Sequence, residues 1–180
     1  MNLNFTPFPT ISTERLVLRA IEMSDDEAFF SLRSNDEVNK YVGNPKPKSM
    51  EDIHKLITLL QNNATNNEAI FWVICTKENP ELIGTACFWN ISKENETIEI
   101  GYTLLPHVQG KGYMNEAMNA LIDYGFDIIE AKSIEAFTHK DNEASAKVLE
   151  RNGFERDSAL QKKYANDEHA KDMVIYSLYR

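Results

Sequence analysis

The sequence predicts a single α/β (α+β) domain on a mixed, largely antiparallel central sheet. Three observations carry that expectation. Stretches with strand-like alternation are interleaved with capped segments of helical period. Neither repeats nor low-complexity tracts interrupt them. At 180 residues one domain, spanning 1–180, is the natural count, and such a chain buries roughly 70% of its unfolded surface.

The elements follow in order. Residues 15–21 alternate as a first strand. Ser24-Asp25-Asp26-Glu27 reads as a capping box opening a short helix through Ala28, Phe29 and Leu32. Asn44-Pro45-Lys46-Pro47-Lys48 breaks the chain, and Ser49-x-x-Asp52 opens a second amphipathic helix through Ile53, Leu56, Ile57 and Leu60, ended by the polar run 62–67. Strands over 71–76 and 82–91 flank the turn Lys77-Glu78-Asn79-Pro80. A fourth strand over 97–105 closes at Pro106, and a helix from Asn115 to about Phe126 follows a glycine turn. Its apolar stripe, Ala117, Met118, Leu121, Ile122 and Phe126, is core packing. A strand over 134–138, a helix over 142–152, a turn into strand over 153–156 and a final strand over 173–179 complete the chain.

The most informative segment is Gln109-Gly110-Lys111-Gly112-Tyr113-Met114. Strand, glycine turn and helix form a cradle for a polyanion: glycines admit close backbone approach, and the first N–H groups of the helix point at the anion. A P-loop fails on spacing, because Lys111 is followed by Gly112 and not by a hydroxyl residue. A dinucleotide fingerprint lacks its third glycine, the position being Asn115.

What remains, Gln/Arg-x-x-Gly-x-Gly/Ala after a strand ended by proline, resembles the acyl-CoA pyrophosphate loop of the GNAT N-acetyltransferase superfamily. The resemblance runs over about 13–179 and is nearest to the branch of RimJ/RimL-type ribosomal-protein N-terminal acetyltransferases. Thr13-Glu14-Arg15-Leu16-Val17-Leu18-Arg19 is similar to that branch's opening strand, Leu82-Ile83-Gly84-Thr85 to its central strand, and Asn142-Glu143-Ala144-Ser145 through Leu149-Glu150-Arg151-Asn152-Gly153-Phe154 to its last helix and turn. Met114 departs from the family, which favours Gly or Ala there; a backbone N–H still donates from Met.

The resemblance implies a GNAT-like fold, with the sheet splayed at the fourth strand and helices on both faces. It implies acetyl-CoA as cosubstrate, no metal, and direct acetyl transfer in a ternary complex. Gln109, Gly110, Lys111, Gly112, Tyr113 and Met114 would hold the pyrophosphate, with a solvated loop lysine as the other reading of Lys111. Gly101 would mark a bulge that splays two strands around the pantetheine arm; an ordinary strand glycine is the alternative. Leu104 would offer a backbone N–H to the thioester carbonyl, and Asn142 would contact the cofactor arm.

Acyl transfer from a thioester needs a neutral amine, a donor to the carbonyl oxygen and a proton for the thiolate. By resemblance Ser145 is the candidate acid and Glu99 the candidate base, directly or through water. Capping by Asn142 explains both it and Ser145 equally well, and a paired or solvated strand carboxylate is the other reading of Glu99. Period-two geometry puts Glu99, Gly101 and Thr103 on one face, and Tyr102 opposite as a core aromatic. A base of ordinary pKa would matter most at low pH, where neutral amine is scarce.

Composition sets the remaining bounds. No run of 18 apolar residues exists and the N-terminus has no signal-like pattern, so a cytoplasmic location without membrane partners is expected. Cys75 and Cys87 read as small hydrophobes inside strands, and His54, His107, His139 and His169 show no metal-ligand spacing. The net charge of −9 without basic clusters argues against nucleic acid and would mildly steer a cationic acceptor. The acceptor implied is a protein N-terminal amine, ribosomal-protein type. A small-molecule amine such as a polyamine or antibiotic is the alternative, as is a non-catalytic acyl-CoA-binding module; either monomer or homodimer suits these roles.

Overall fold

The computed structural model describes residues 1–43, 45–168 and 170–180. Asn44, which opens the proline-rich break, and His169 lie outside the described residues. The elements run β1 (Ile11–Ser12), β2 (Leu16–Ala20), a 3-10 turn (Met23–Asp25), α1 (Asp26–Ser34), α2 (Asp36–Asn39), α3 (Met50–Thr65), β3 (Ile70–Thr76), β4 (Gly84–Ser92) and β5 (Thr97–Leu104). A 3-10 turn (Pro106–Val108), α4 (Tyr113–Asp123), a π turn (Tyr124–Ile128), β6 (Ser133–His139), α5 (Glu143–Arg151), β7 (Glu155–Arg156), α6 (Ser158–Lys163) and β8 (Met173–Tyr179) follow.

The eight strands form one sheet in the order β1-β2-β3-β4-β5-β6-β8-β7. Every pairing is antiparallel except β5 with β6. Because side chains alternate along a strand, β3 serves two cores at once. Trp72 and Ile74 join Phe88, Met118, Leu121 and Leu149 under α4 and α5. Val73 joins Phe29, Leu32, Ile53 and Ile57 under α1 and α3. Helices therefore cover both faces, as expected, and each fully buried Leu, Ile or Phe contributes about 1.5–3 kcal/mol.

Several local expectations change. The first helix is not capped by Ser24. Asp25 folds back to accept from the Glu22 N–H at 2.8 Å and takes both terminal nitrogens of Arg19 at 2.8 Å, so its carboxylate is consumed inside a partly buried ion pair. The Ser49–Asp52 box forms as read: Asp52 N–H donates to Ser49 Oγ at 3.2 Å and Ser49 N–H to Asp52 Oδ2 at 3.1 Å. α3 runs to Thr65, into the polar run that should have ended it, and its last buried residue is Ala64. β1, α2 and α6 carry too few residues for a period to show. The additional β1 makes the predicted fourth strand β5.

The sheet opens at β5, but not through a bulge at Gly101. The β4–β5 ladder is continuous from Gly84↔Leu104 to Trp89↔Glu99, and its irregularity lies beyond, between Trp89 and Ser92. The opening is a divergence from β6: the parallel pairing holds only at Thr97↔Ser133, Ile98↔Ile134 and Glu99↔Glu135, after which β5 and β6 separate. Gly101 is instead a close-approach position, where an added Cβ would lie 3.0 Å from Cys87 Sγ.

Candidate active site

The phosphate loop takes its shape from two left-handed glycines, Gly110 at φ +74° and Gly112 at φ +81°, a conformation that costs glycine nothing. Gly112 is the N-cap of α4, which starts at Tyr113 and not at Asn115. The first intrahelical bond runs from Glu116 N–H to Gly112 O at 3.1 Å, so the N–H groups of Tyr113, Met114 and Asn115 precede the ladder and face outward from the helix end. The Met114 side chain turns into the core at 7% exposure, leaving its N–H on the loop surface; a residue larger than the family's Gly or Ala is thereby accommodated. Gln109 Nε2 donates to Leu104 O at 3.0 Å, tying the loop to the end of β5. Lys111 is exposed.

The backbone of β5 points into the gap at defined places. Leu105 N–H bonds Ile83 O at 2.9 Å, and bonded pairs alternate along an antiparallel ladder. The N–H groups of Leu104 and Tyr102 therefore turn away from β4, toward the space that β6 has left. These two donors, with the loop N–H groups at one end of the gap, fit an extended ligand carrying a diphosphate and a carbonyl, as acyl-CoA does.

Asn142 caps α5, its Oδ1 accepting from Ser145 N–H at 3.1 Å. Ser145 Oγ shares a 2.8 Å hydrogen bond with the Tyr102 hydroxyl. Tyr102 is thus not merely a core aromatic: it is half-buried, bridges β5 to α5, and burial pushes its phenol up to about 12, so it remains a proton donor at neutral pH. No spacing in the chain links positions 102 and 145; only the register of β5 against α5 does.

Glu99 occupies the opposite face of β5 and is buried, with 7% exposure. Its Oε2 accepts from Asn90 Nδ2 at 3.2 Å. Asn90 is itself left-handed, φ +47°, at the irregularity that follows Trp89. Burial raises the Glu99 pKa to about 7, opposed by the Asn90 bond and reinforced by the neighbouring Glu135. The solvated or ion-paired reading of Glu99 fails: this carboxyl is desolvated, has no cationic partner among the described residues, and is poised to exchange a proton near neutrality.

A cavity of about 760 Å³ joins the two faces through the gap. Glu99, Gly101 and Thr103 line it on one side, and Tyr102, Asn142 and Ser145 on the other. Cys87 lies in its wall, half-buried rather than fully enclosed, and both cysteines are free thiols. No group of three or more potential metal-ligating side chains is found among the described residues, and no described helix is long and apolar enough to cross a membrane.

A split sheet, a glycine loop at a helix start and a poised carboxyl beside the split define an acyltransferase that uses acyl-CoA. The chain belongs to the GNAT acetyltransferase family, whose domain model matches residues 15–155. It is 33% identical over 176 residues to the uncharacterized N-acetyltransferase YoaA of Bacillus subtilis, covering 96% of this chain and 98% of that protein. It is 36% identical over 98 residues to the ribosomal-protein-serine acetyltransferase of Escherichia coli, covering 54% of each. Among solved structures, the microcin C7 self-immunity acetyltransferase MccE in complex with acetyl-CoA and AMP superposes with a TM-score of 0.78 at 26% identity, over 93% of both chains.

Proposed function

We propose that residues 1–180 form one cytoplasmic N-acetyltransferase domain that moves an acetyl group from acetyl-CoA to the N-terminal amine of a protein, of the ribosomal-protein type, by direct transfer in a ternary complex. One observation carries the reading: Glu99, with a pKa raised to about 7, faces the acceptor side of a cavity whose other side holds the Tyr102–Ser145 pair.

Proton matching favours an N-terminus. A protein α-amine has a pKa near 8, within about a unit of Glu99, whereas a lysine side chain near 10.4 is several units away. Glu99 takes the amine proton directly or through water as the nitrogen attacks. The Leu104 N–H supports the carbonyl oxygen, and Ser145, backed by the Tyr102 hydroxyl, returns a proton to the departing thiolate. The N–H groups around Gly112, Tyr113 and Met114 hold the pyrophosphate, with Gln109 fixing the loop. Asn142 holds Ser145 in place through its cap. The likeness to a ribosomal-protein-serine acetyltransferase supports a protein acceptor. The AMP-bound neighbour MccE supports a second reading, a small amine joined to a nucleotide-like group.

Peptides with a free Ser or Ala terminus are expected to exceed spermidine and aminoglycosides in kcat/KM. Efficient acetylation of a polyamine or antibiotic, with no transfer to peptide termini, would overturn the protein-acceptor reading.

A further inference from the structure

The acceptor side of the cavity contains a cation that forms no ion pair among the described residues. Arg33, near the end of α1, lines the same cavity as Glu99. Its Nε is buried and has no hydrogen-bond partner, and the side chain forms no ion pair with any described residue. The carbonyls closest in sequence are already engaged: Asn39 Nδ2 donates to the C=O groups of Leu32, Arg33 and Asn35 at 3.3, 2.8 and 2.7 Å. Burial without a countercharge lowers the Arg33 pKa. A guanidinium nitrogen that loses water and gains no partner is destabilising in the free protein. That arrangement suits a site completed by its ligand, since guanidinium matches a carboxylate through two parallel N–H donors.

We infer that Arg33 is an acceptor-binding residue that pairs with a carboxylate on the molecule carrying the reactive amine. Glu99 and Arg33 then divide the acceptor between them: the carboxyl receives the amine and the guanidinium the acid group. This specifies the acceptor class within the proposed reading as an N-terminal segment with Asp or Glu among its first residues. The overall negative charge of the chain acts at long range and is screened, whereas Arg33 acts at contact.

The test is calorimetric binding to the CoA-saturated protein, followed by steady-state kinetics. Two pairs differ only in the acid group: Ser-Glu-Ala-Ala amide against Ser-Gln-Ala-Ala amide, and free serine against serine amide. The acidic member of the peptide pair is expected to bind at least about tenfold more tightly, the range of a charge-assisted hydrogen bond. Arg33→Met should abolish the preference by raising KM with kcat largely retained, and Arg33→Lys should restore part of it. The acetyl-CoA-induced rise in Tm should be the same in all three proteins, which reports an intact fold and cosubstrate site. A preference confined to the serine pair would keep Arg33 as a carboxylate anchor while overturning the peptide reading. Equal or undetectable binding within both pairs, or a preference surviving in Arg33→Met, overturns the inference.

Discussion

Arg15 and Glu116 lock the edge of the sheet to the start of α4. Glu116 Oε2 accepts from Arg15 Nε at 2.6 Å, while Oε1 accepts from Arg15 N–H at 2.7 Å and Thr13 Oγ1 at 2.5 Å. The same guanidinium donates from Nη1 to Lys111 O at 2.9 Å and lies 4.7 Å from the centre of the Tyr113 ring. The opening Thr-Glu-Arg motif thus fixes a loop about a hundred residues away in sequence. An isolated exposed pair is worth little, but this carboxylate orders three donors. Glu116→Ala is expected to weaken CoA binding by about three- to tenfold, with a much smaller effect on Tm in the unliganded protein. Titration calorimetry checks it, and unchanged affinity would separate the clamp from the cosubstrate site.

The two loop glycines should respond differently to substitution. Both need a left-handed backbone, but a Cβ at Gly112 would meet Arg15 Nη2 at 3.3 Å, whereas one at Gly110 meets nothing within 4 Å. Gly112→Val therefore adds a displaced clamp to backbone strain, and CoA affinity should fall by at least about tenfold. Gly110→Asn, which tolerates the conformation, should cost only a few-fold. Equal losses would mean that strain alone governs the loop.

For proton delivery, Ser145→Ala is expected to lower kcat by about tenfold or more with little change in CoA affinity, the lower end of what general acid catalysis contributes. Tyr102→Phe should fall in the same range. Because the two hydroxyls share one hydrogen bond, the double variant should lose much less than the product of the single losses. Independent, multiplicative losses in single-turnover kinetics would assign the residues to separate roles.

The raised pKa of Glu99 reverses the pH dependence that an ordinary carboxylate would give. Below pH 7 the wild-type group is already protonated, so Glu99→Gln should cost little at pH 6 and progressively more toward pH 8. Stability runs the other way. A group whose folded pKa exceeds its unfolded value contributes fully below the unfolded value and loses that contribution as pH rises through about 7. Thermal melts of Glu99→Gln should therefore improve relative to wild type between pH 5 and 8. A loss of activity that is uniform with pH, alongside parallel melting curves, would leave Glu99 only a positioning role.

What the sequence revealed depended on the range of the interaction. The Ser49–Asp52 box and the Asn142 cap each span three residues, and both were legible. The glycine loop was legible because left-handed backbone leaves glycine as its mark. The expected Ser24–Glu27 box gave way to Asp25, which bonds the Glu22 N–H and, six residues back on β2, Arg19. The Tyr102–Ser145 bond joins residues 43 positions apart and had no local signal. Arg33 carried no signal in the sequence; its isolation depends on α2 folding back so that Asn39 takes the nearby carbonyls. Even the opening of the sheet, expected at Gly101, is set by where the β6 partnership ends at Glu135.

The three-residue pairing of β5 with β6 has a further consequence. A strand without a neighbour usually sits at the rim of a sheet, where its bare amides can recruit another polypeptide and seed aggregation. Here such a rim is internal: Tyr102 and Leu104 present theirs between two halves of a sheet covered on both faces by helices. Only a narrow, flexible chain with amides of its own could complete the ladder there, and a second protein strand with its flanking side chains could not. The protein carries a sticky edge where its own bulk acts as the sieve.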